Sequence, residues 1–291
     1  MSSMKQNLHT HTVYCDGKST PEEIVLTAID RGLDSIGFSG HAYTSCDEGY
    51  CMMRDDIGKY RRDVLALKEK YADRIRIYCG IEQDYYADPL SYSWDYVIGS
   101  VHYLLADGVF IPVDENRETL ERAAAEHFNG DIYSLIELYY KTVARVVQVT
   151  GCDIIGHFDI IRKFNDDGTL FDASHPDYMI VWSRALDMIF TGADTGLFKT
   201  GFQRSGACAD GAPIFEINTG AISRGYCALP YPSIDILRSV NARGGRIMIT
   251  SDSHEADTID AYYDLARDIA LDAGFTEQTV LTEDGFVSVP L

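Results

Sequence analysis

Histidines are the residues of this sequence that most directly indicate chemistry. The chain has eight of them, and six lie where a β-strand is expected to end, several of these after an apolar, β-branched run. These six are His9, His11, His41, His102, His157 and His254. The carboxyl ends of parallel strands meet at one face of a barrel, so side chains at those positions would converge. Because imidazole is a common metal ligand, the pattern indicates a multinuclear metal hydrolase.

Acidic residues complete the candidate ligand set. His9 and His11 are two residues apart, so in an extended segment both imidazoles point the same way and could bind one ion. Glu82 ends an apolar run, where a carboxylate needs a charged partner or a metal ion. Asp252 follows another such run, and Asp16 lies in a turn just after the histidine pair. Together with the six histidines, these residues make nine candidate metal ligands.

The elements that must position these ligands alternate between strand and helix. Strands are predicted from β-branched apolar runs, and helices from apolar residues at helical spacing. The segment 20–23 reads as a capping box with proline at the first helical position, and Gly32 is a helix stop. The predicted strands are 5–9, 34–39, 74–81, 95–101, 153–156, 214–218 and 246–251. The later predicted helices are 56–72, 131–149, 177–191, 233–243 and 258–273. Seven strands alternating with helices predict a parallel sheet that closes into a barrel.

Two segments and two histidines do not follow this alternation. Residues 103–130 show no evident strand, and residues 192–212 are rich in Gly, Ala and Thr. Both segments are expected to form rim loops or lids that shape the pocket. His127 lies in a polar stretch and His175 precedes a proline. These two histidines are expected to be solvent-exposed or to cap helices.

Composition narrows the class of protein. The 291 residues carry a formal net charge of −20, which argues against a nucleic-acid track, because such a surface is basic. No apolar run reaches the roughly 18 residues that a membrane helix needs, and the first residues lack an apolar signal core. The seven cysteines contain no CxxC pair and suggest no disulfide framework. A cytoplasmic protein with neither a nucleic-acid nor a membrane partner is expected.

Six motifs in chain order resemble the PHP (polymerase and histidinol phosphatase) superfamily, specifically its histidinol-phosphatase branch. They are His9-Thr10-His11-Thr12 with Cys15-Asp16-Gly17, Phe38-Ser39-Gly40-His41, Gly80-Ile81-Glu82, Gly99-Ser100-Val101-His102, Gly156-His157-Phe158-Asp159 and Ser251-Asp252-Ser253-His254. The resemblance covers nearly the whole chain. It implies an α/β fold, a distorted (β/α)7 TIM-like barrel, with residues 1–291 as a single domain.

The resemblance also implies three divalent transition-metal ions and a ligand set for each. The first ion would take His9, His11, Glu82 and Asp252, the second Glu82, His102 and His157, and the third Asp16, His41 and His254. Many PHP members have a histidine at the position of Asp16, and an aspartate there resembles the histidinol-phosphatase branch. The harder oxygen ligand leaves the metal open among manganese, iron and zinc.

The implied reaction is hydrolysis of a small phosphate monoester, with L-histidinol phosphate as the best single substrate and phosphate as a product. A hydroxide between the first two ions is the expected nucleophile. Arg162 and Arg224 resemble the phosphate-clamping arginines of this branch, and a guanidinium fork matches phosphate geometry. Asp16 or His254 could protonate the leaving group.

Three alternatives stay open from the sequence. One is a PHP phosphoesterase acting on another small ester, a nucleotide or DNA ends, against which the acidic composition counts. Another is an amidohydrolase-type barrel, which shares the His-x-His motif but usually bridges its metals with a modified lysine, whereas here the matching strand ends in Glu82. The third is a metal-binding barrel without catalysis. Such a barrel usually lacks some ligands, while all nine are present here.

Overall fold

Strands and helices alternate along the chain in the computed structural model, which describes residues 4–192 and 212–291. The strands are β1 (Gln6–Asn7), β2 (Ser35–Phe38), β3 (Arg76–Cys79), β4 (Ile81–Asp84), β5 (Val97–Ser100), β6 (Tyr103–Ala106), β7 (Val109–Pro112), β8 (Ile154–Ile155), β9 (Ile214–Asn218), β10 (Arg246–Thr250), β11 (Glu277–Thr282) and β12 (Gly285–Pro290). The helices are α1 (Pro21–Asp30), α2 (Arg54–Lys70), α3 (Arg117–His127), α4 (Ile132–Val143), α5 (Val146–Thr150), α6 (Pro176–Thr191), α7 (Gly220–Ser223), α8 (Ile234–Ala242) and α9 (Tyr263–Asp272). Short 3-10 turns lie at Ile160–Arg162 and Ala256–Thr258.

The seven predicted strands all form, as parallel neighbours. One ladder joins β1, β2 and β3, and a second joins β4, β5, β8, β9 and β10 in that order. The predicted strand 74–81 corresponds to β3 and the first residue of β4, with Gly80 between them, and β4 continues to Asp84. A side chain at Gly80 would collide with the ring of Tyr96, because its Cβ would lie 2.3 Å from the Tyr96 Cζ atom. Close packing inside the barrel therefore requires glycine at position 80.

Isolated bridges, rather than long ladders, complete the ring of strands. His41, just after β2, forms an isolated parallel bridge with Glu82 of β4. Thr10 pairs with Ser253, beyond the ends of β1 and β10, and so brings the last strand beside the first. There the His11 backbone N–H donates to the Ser253 carbonyl (2.8 Å). Both bridges lie among the candidate metal ligands, at the carboxyl end of the strands.

The predicted helices form with modest changes at their ends. The Thr20 side chain accepts a hydrogen bond from the Glu23 backbone, and the Glu23 side chain accepts from the Thr20 backbone, so the predicted capping box is present at the start of α1. The predicted helix 131–149 is divided into α4 and α5. None of the helices within 4–192 and 212–291 is both long and apolar enough to cross a membrane.

Apolar residues fill the barrel and the space between barrel and helices. The inner cluster comprises Leu8, Tyr78, Tyr96, Ile98, Ile154, Ile214, Met248 and Leu281. A larger cluster packs the outer strand faces against the helices. The β11–β12 hairpin covers the amino end of the barrel, where Gln6 exchanges two hydrogen bonds with the Leu281 backbone (2.9 and 2.8 Å). The carboxyl end is left open for the polar ligands.

The expectation for residues 103–130 is wrong in one respect. This segment contains the antiparallel β6–β7 hairpin and helix α3, so it is not a loop without strands. Its turn residues, Asp107 and Gly108, both have positive φ (50° and 80°), as a two-residue hairpin turn requires. The C-terminal β11–β12 hairpin was not expected either. Nearly all of the other expected lid, 192–212, lies outside the described residues.

Candidate metal centre

All nine candidate ligands converge at the carboxyl end of the barrel. They reach it from different elements: β1, β2, β5, β8 and β10 are each followed within a few residues by at least one of them. Glu82 differs from expectation, because it lies inside β4 rather than just after a strand. Its neighbours on the same strand, Ile81 and Asp84, are also buried. The parallel strands therefore bring the candidate ligands together at one end of the barrel.

The first predicted ligand set forms one close cluster. Glu82 Oε2 lies 3.2 Å from His9 Nε2 and 3.5 Å from His11 Nε2. Asp252 Oδ1 lies 3.6 Å from His9 Nε2 and 3.1 Å from His11 Nε2. Two imidazoles and two carboxylates thus aim one ligand atom each at a common point.

The second predicted set meets at the other oxygen of Glu82. His157 Nε2 lies 3.2 Å and His102 Nε2 3.6 Å from Glu82 Oε1. The two imidazole Nε2 atoms are 3.2 Å apart. Glu82 therefore presents one oxygen to each cluster, as a bridging carboxylate would.

The third predicted set is the most open one. Asp16 Oδ2 lies 3.1 Å from His254 Nε2, and Asp16 Oδ1 lies 3.7 Å from His41 Nε2. Two further contacts join ligands that were predicted to bind different ions. His11 Nδ1 lies 3.6 Å from Asp16 Oδ1, and His41 Nδ1 lies 2.9 Å from Glu82 Oε2. The three sets are therefore parts of one continuous centre.

Buried ligand atoms without hydrogen bonds show that this centre suits metal ions. Among the described residues, His9 Nε2, His11 Nε2 and Glu82 Oε2 are shielded from solvent and have no hydrogen-bond partner. A buried polar atom without a partner costs about 1–3 kcal/mol. These are the atoms that face one another across the first cluster. Imidazole nitrogens and carboxylate oxygens fit a divalent transition metal.

Charge crowding shifts the pKa values of these groups. Burial, with two neighbouring histidines acting in the same direction, lowers the pKa of His11 to about 3. Burial also acts to lower the pKa of His102, but Glu82 and Asp84 raise it to about 10. For Glu82, burial acts to raise the pKa, yet the surrounding histidines hold it well below its usual range. Any metal that binds here must displace protons from some histidines.

A second layer of buried carboxylates orients the ligands, and the sequence analysis missed it. Glu216 accepts a hydrogen bond from His9 Nδ1 at 2.5 Å. Asp84 Oδ2 accepts from the His102 backbone N–H at 2.8 Å and lies 3.2 Å from His102 Nδ1. Glu216 lies between apolar residues of its strand, and that isolation was an available sequence signal, whereas Asp84 follows Glu82 and Gln83 and carries no such signal. Such partners fix the ring orientation of a metal-binding histidine.

Seven of the nine ligands, all except His9 and His11, line a cavity of about 370 Å³. Part of its remaining wall comes from the segment after His102, which contributes Tyr103, Pro112, Asp114 and Glu115. Asp47, Tyr50, Ile160, Lys163, Arg224 and Tyr226 also line it. The 103–130 segment therefore does shape the pocket, as expected, although it does so with a hairpin.

The two predicted arginines occupy different positions. Arg224 lines the cavity and donates to the Asp252 carbonyl (2.9 Å) and to Asp252 Oδ2 (3.1 Å). Arg162 pairs with buried Asp159 (2.9 Å) and is not among the cavity-lining residues, whereas its neighbour Lys163 is. The phosphate-binding roles of both arginines stay predictions.

The remaining histidines and a nearby cysteine have other surroundings. His175 is the N-cap of α6 and accepts from the Asp177 backbone, as the sequence predicted. His127 ends α3, away from the centre, and pairs with Asp107 (3.1 Å). Cys15 Sγ lies 3.6 Å from His11 Nδ1, and burial raises the pKa of its thiol to about 12. A thiol in that state is a poor nucleophile.

Comparisons with known proteins agree on the family and the fold. The PHP domain matches residues 7–191. A probable histidinol-phosphatase from Deinococcus radiodurans is 28% identical over 259 residues, which are 85% of each chain. The structure of a putative histidinol phosphatase from Listeria monocytogenes superposes with a TM-score of 0.66 at 19% identity, covering 90% of this chain and 99% of that one.

A second solved structure is similar over nearly the full length of both chains. It is histidinol phosphate phosphatase from Lactococcus lactis, in complex with zinc, L-histidinol and phosphate. It superposes with a TM-score of 0.59 at 20% identity, covering 98% of this chain and 99% of that one. At these identities the two structures bear on the fold alone, and they confirm the expected distorted (β/α)7 barrel.

Proposed function

This chain belongs to the PHP domain family, and we propose that it is a metal-dependent phosphatase that hydrolyses L-histidinol phosphate to L-histidinol and phosphate. The observation that carries the proposal is a cavity lined both by metal-type ligands and by further carboxylates and tyrosines that a phosphate ester alone would not need. The ligand centre at this cavity includes buried nitrogens and a carboxylate oxygen without hydrogen-bond partners. We also propose that residues 1–291 act as one domain.

The nine ligands would hold the metal ions in the three sets described above. Divalent ions in those sets would activate water and neutralise the charge of the phosphate group. Zinc accompanies the Lactococcus lactis protein, and manganese and iron accept the same ligand types. Mechanistically, the chain's own contribution is to hold these ligands in place and to recognise both ends of the substrate.

Two cationic side chains on the cavity wall could meet the phosphate oxygens. Arg224 lies at the edge nearest Asp252 and His254. Lys163 is almost fully buried and pairs with Asp114, its Nζ atom 2.8 Å from the Asp114 carbonyl and 3.3 Å from Oδ2. Charge-assisted hydrogen bonds from such groups strengthen as negative charge develops on the phosphate.

The pair of Asp16 and His254 can hold the proton that the leaving alkoxide needs. His254 Nδ1 lies 2.8 Å from Arg224 Nη1 and 3.0 Å from the Asp252 carbonyl oxygen. His254 Nε2 lies 3.1 Å from Asp16 Oδ2 at the open side of the centre. Burial acts to raise the pKa of Asp16, but the surrounding histidines lower it below its usual range. Either Asp16 or His254 would pass the proton to the alkoxide from this side of the centre.

The cavity lining beyond the ligands favours a leaving group with positive charge. Asp47, Asp114 and Glu115 line the cavity, alongside Tyr50 and Tyr103. Histidinol carries an ammonium group and an imidazole, so carboxylates and aromatic rings complement it. A nucleotide or sugar phosphate brings no such cation to these carboxylates.

A phosphate-release assay of zinc- or manganese-loaded protein tests the proposal. We expect kcat/KM to be highest for L-histidinol phosphate, compared with glycerol phosphate, AMP and a single-stranded oligonucleotide. Glu82→Gln, prepared in parallel, reports any contaminating phosphatase. Equal or faster turnover of AMP or the oligonucleotide would replace the proposed substrate. No turnover of any ester at full metal occupancy would favour the non-catalytic barrel.

A further inference from the structure

Glu216 connects the barrel strands beneath the ligand centre, and we infer that it is a positioning residue that fixes the metal-binding form of His9. It lies in β9, its side chain is fully buried, and it shares the inner face of that strand with Ile214 and Asn218. The inference rests on the proposed function only in assuming that the centre holds metal ions.

Four hydrogen bonds use both oxygens of the Glu216 carboxylate. Oε1 accepts from His9 Nδ1 and from Thr250 Oγ1, each at 2.5 Å. Oε2 accepts from the His157 backbone N–H at 2.7 Å and from Asn218 Nδ2 at 3.1 Å. One side chain on β9 is therefore bonded to residues on or just after β1, β8 and β10. Its geometry is set from several directions at once.

Asn218 extends this network to another ligand. Its Nδ2 atom, besides bonding Glu216, lies 3.3 Å from Asp252 Oδ2. Its Oδ1 atom accepts from the Gly220 backbone N–H at 2.8 Å, which orients the amide. His9, His157 and Asp252 therefore share one buried support, although they are far apart in sequence.

The chemistry of a carboxylate decides which His9 nitrogen is free for a metal. An ionised carboxylate only accepts hydrogen bonds, so the proton of a neutral His9 ring must sit on Nδ1. The Nε2 lone pair is then exposed toward Glu82 Oε2 and Asp252 Oδ1.

Glu216→Gln tests this role with almost no change in shape. The amide NH₂ of glutamine would donate to His9 Nδ1 and move the ring proton to Nε2, which removes the lone pair from the first cluster. We expect zinc affinity at one site to fall about 10–100-fold, as loss of such a partner typically causes. Competition of apo-protein with a zinc chelator, with zinc as the only added ligand, measures this affinity.

Gln6→Leu is the matched control. Gln6 is also buried and hydrogen-bonded between elements, to Ser35 and Leu281, but at the opposite end of the barrel. We expect it to lower the melting temperature without changing zinc affinity. If Glu216→Gln loses stability but keeps every zinc affinity within twofold of the unaltered protein, Glu216 is merely structural and the inference fails.

A measurement on the unaltered protein keeps the inference testable should Glu216→Gln not fold. Long-range ¹H–¹⁵N correlation of histidine rings in the zinc-loaded protein, assigned with His9→Asn, reports the His9 tautomer. We expect a proton on Nδ1 and zinc on Nε2. Zinc on Nδ1 would overturn the inference. Neither readout uses phosphate release, so a wrong substrate would leave both results unaffected.

Discussion

At the scale of single residues, Glu82 links the separate parts of the centre. Each of its oxygens faces two or more imidazoles, and the carboxylate is completely shielded from solvent in the barrel. A buried carboxylate of this kind is stabilised by the positive charge around it, and here also by a hydrogen bond from the Ser100 hydroxyl (2.5 Å). The ligand histidines and Glu82 therefore depend on one another, and on any metal ions they hold, more than on the apolar core.

The two arginine predictions can be separated by substitution. Arg224→Met should lower kcat/KM for a phosphomonoester about 10–100-fold, because a hydrogen bond to a charged group contributes about 1.5–3 kcal/mol. Arg162→Met tests whether that guanidinium leaves Asp159 to contact the phosphate. A decrease of less than twofold for either variant would show that prediction wrong. Arg238→Met, on the exposed surface of α8, is the control and should not change activity.

The pKa of His102 gives a testable pH dependence of stability in metal-stripped protein. This pKa is raised to about 10 by Glu82 and Asp84, against the effect of burial, while an unfolded histidine titrates near about 6.5. The stabilisation is therefore fully present below about pH 6.5 and is lost as the pH rises through about 10. Thermal unfolding between pH 7 and 10.5 measures it.

His102→Gln isolates this contribution from other groups that titrate at alkaline pH. We expect the difference in melting temperature between the unaltered protein and His102→Gln to shrink, on the order of a few degrees, as the pH rises. A difference that stays constant or grows would mean that His102 is neutral throughout. Zinc should remove the effect, since the metal replaces the proton on the ring.

At the scale of elements, the sequence predicts what depends on local pattern. Apolar, β-branched runs located six of the seven predicted strands, and Thr20 with Glu23 located the start of α1. The β6–β7 hairpin was missed although Asp107-Gly108 is a strong turn signal. Its strands are short and partly exposed, so their apolar pattern is weak.

The supporting residues are harder to predict than the ligands. Glu216 is a single carboxylate between Phe215 and Ile217, and only the pairing of β9 with its neighbours shows that it faces His9. Arg162 and Lys163 are adjacent in sequence, and a short 3-10 turn decides which of them lines the cavity. Such choices depend on backbone direction, which residue type and spacing do not determine.

The hairpin and the chain that follows it should govern substrate selection. Asp114→Asn removes one carboxylate from the cavity wall and its ion pair with Lys163, which keeps its hydrogen bond to the backbone carbonyl of residue 114. We expect KM for L-histidinol phosphate to rise about tenfold, as loss of a charged contact of about 1.4 kcal/mol would cause. KM for phenyl phosphate, which has no cation, should not rise.

Asp107→Asn provides the matched comparison for this prediction. It also removes one negative charge, but from the β6–β7 turn, which does not line the cavity. Asparagine tolerates the positive φ at this position. Steady-state kinetics on both esters should match the unaltered protein. Equal increases in KM for the two esters in Asp114→Asn would indicate general damage to the site rather than lost recognition of a cation.

At the scale of the whole molecule, a net charge of −20 surrounds a site proposed to bind phosphate esters. The long-range field repels a dianionic ester, and salt screens that field over about 8 Å at physiological ionic strength. A substrate that carries its own cations is repelled less. The acidic surface and the acidic cavity wall therefore act in the same direction, in favour of an amine-containing ester.

Salt dependence measures this selection directly. Between about 10 and 150 mM KCl, we expect kcat/KM for p-nitrophenyl phosphate to rise about two- to fivefold, because screening weakens the repulsion of a dianion. The rise for L-histidinol phosphate should be smaller, since its ammonium offsets part of the phosphate charge. Metal is kept saturating so that occupancy does not change with salt. A steeper rise for L-histidinol phosphate than for the dianion would contradict a role for the overall charge in choosing the substrate.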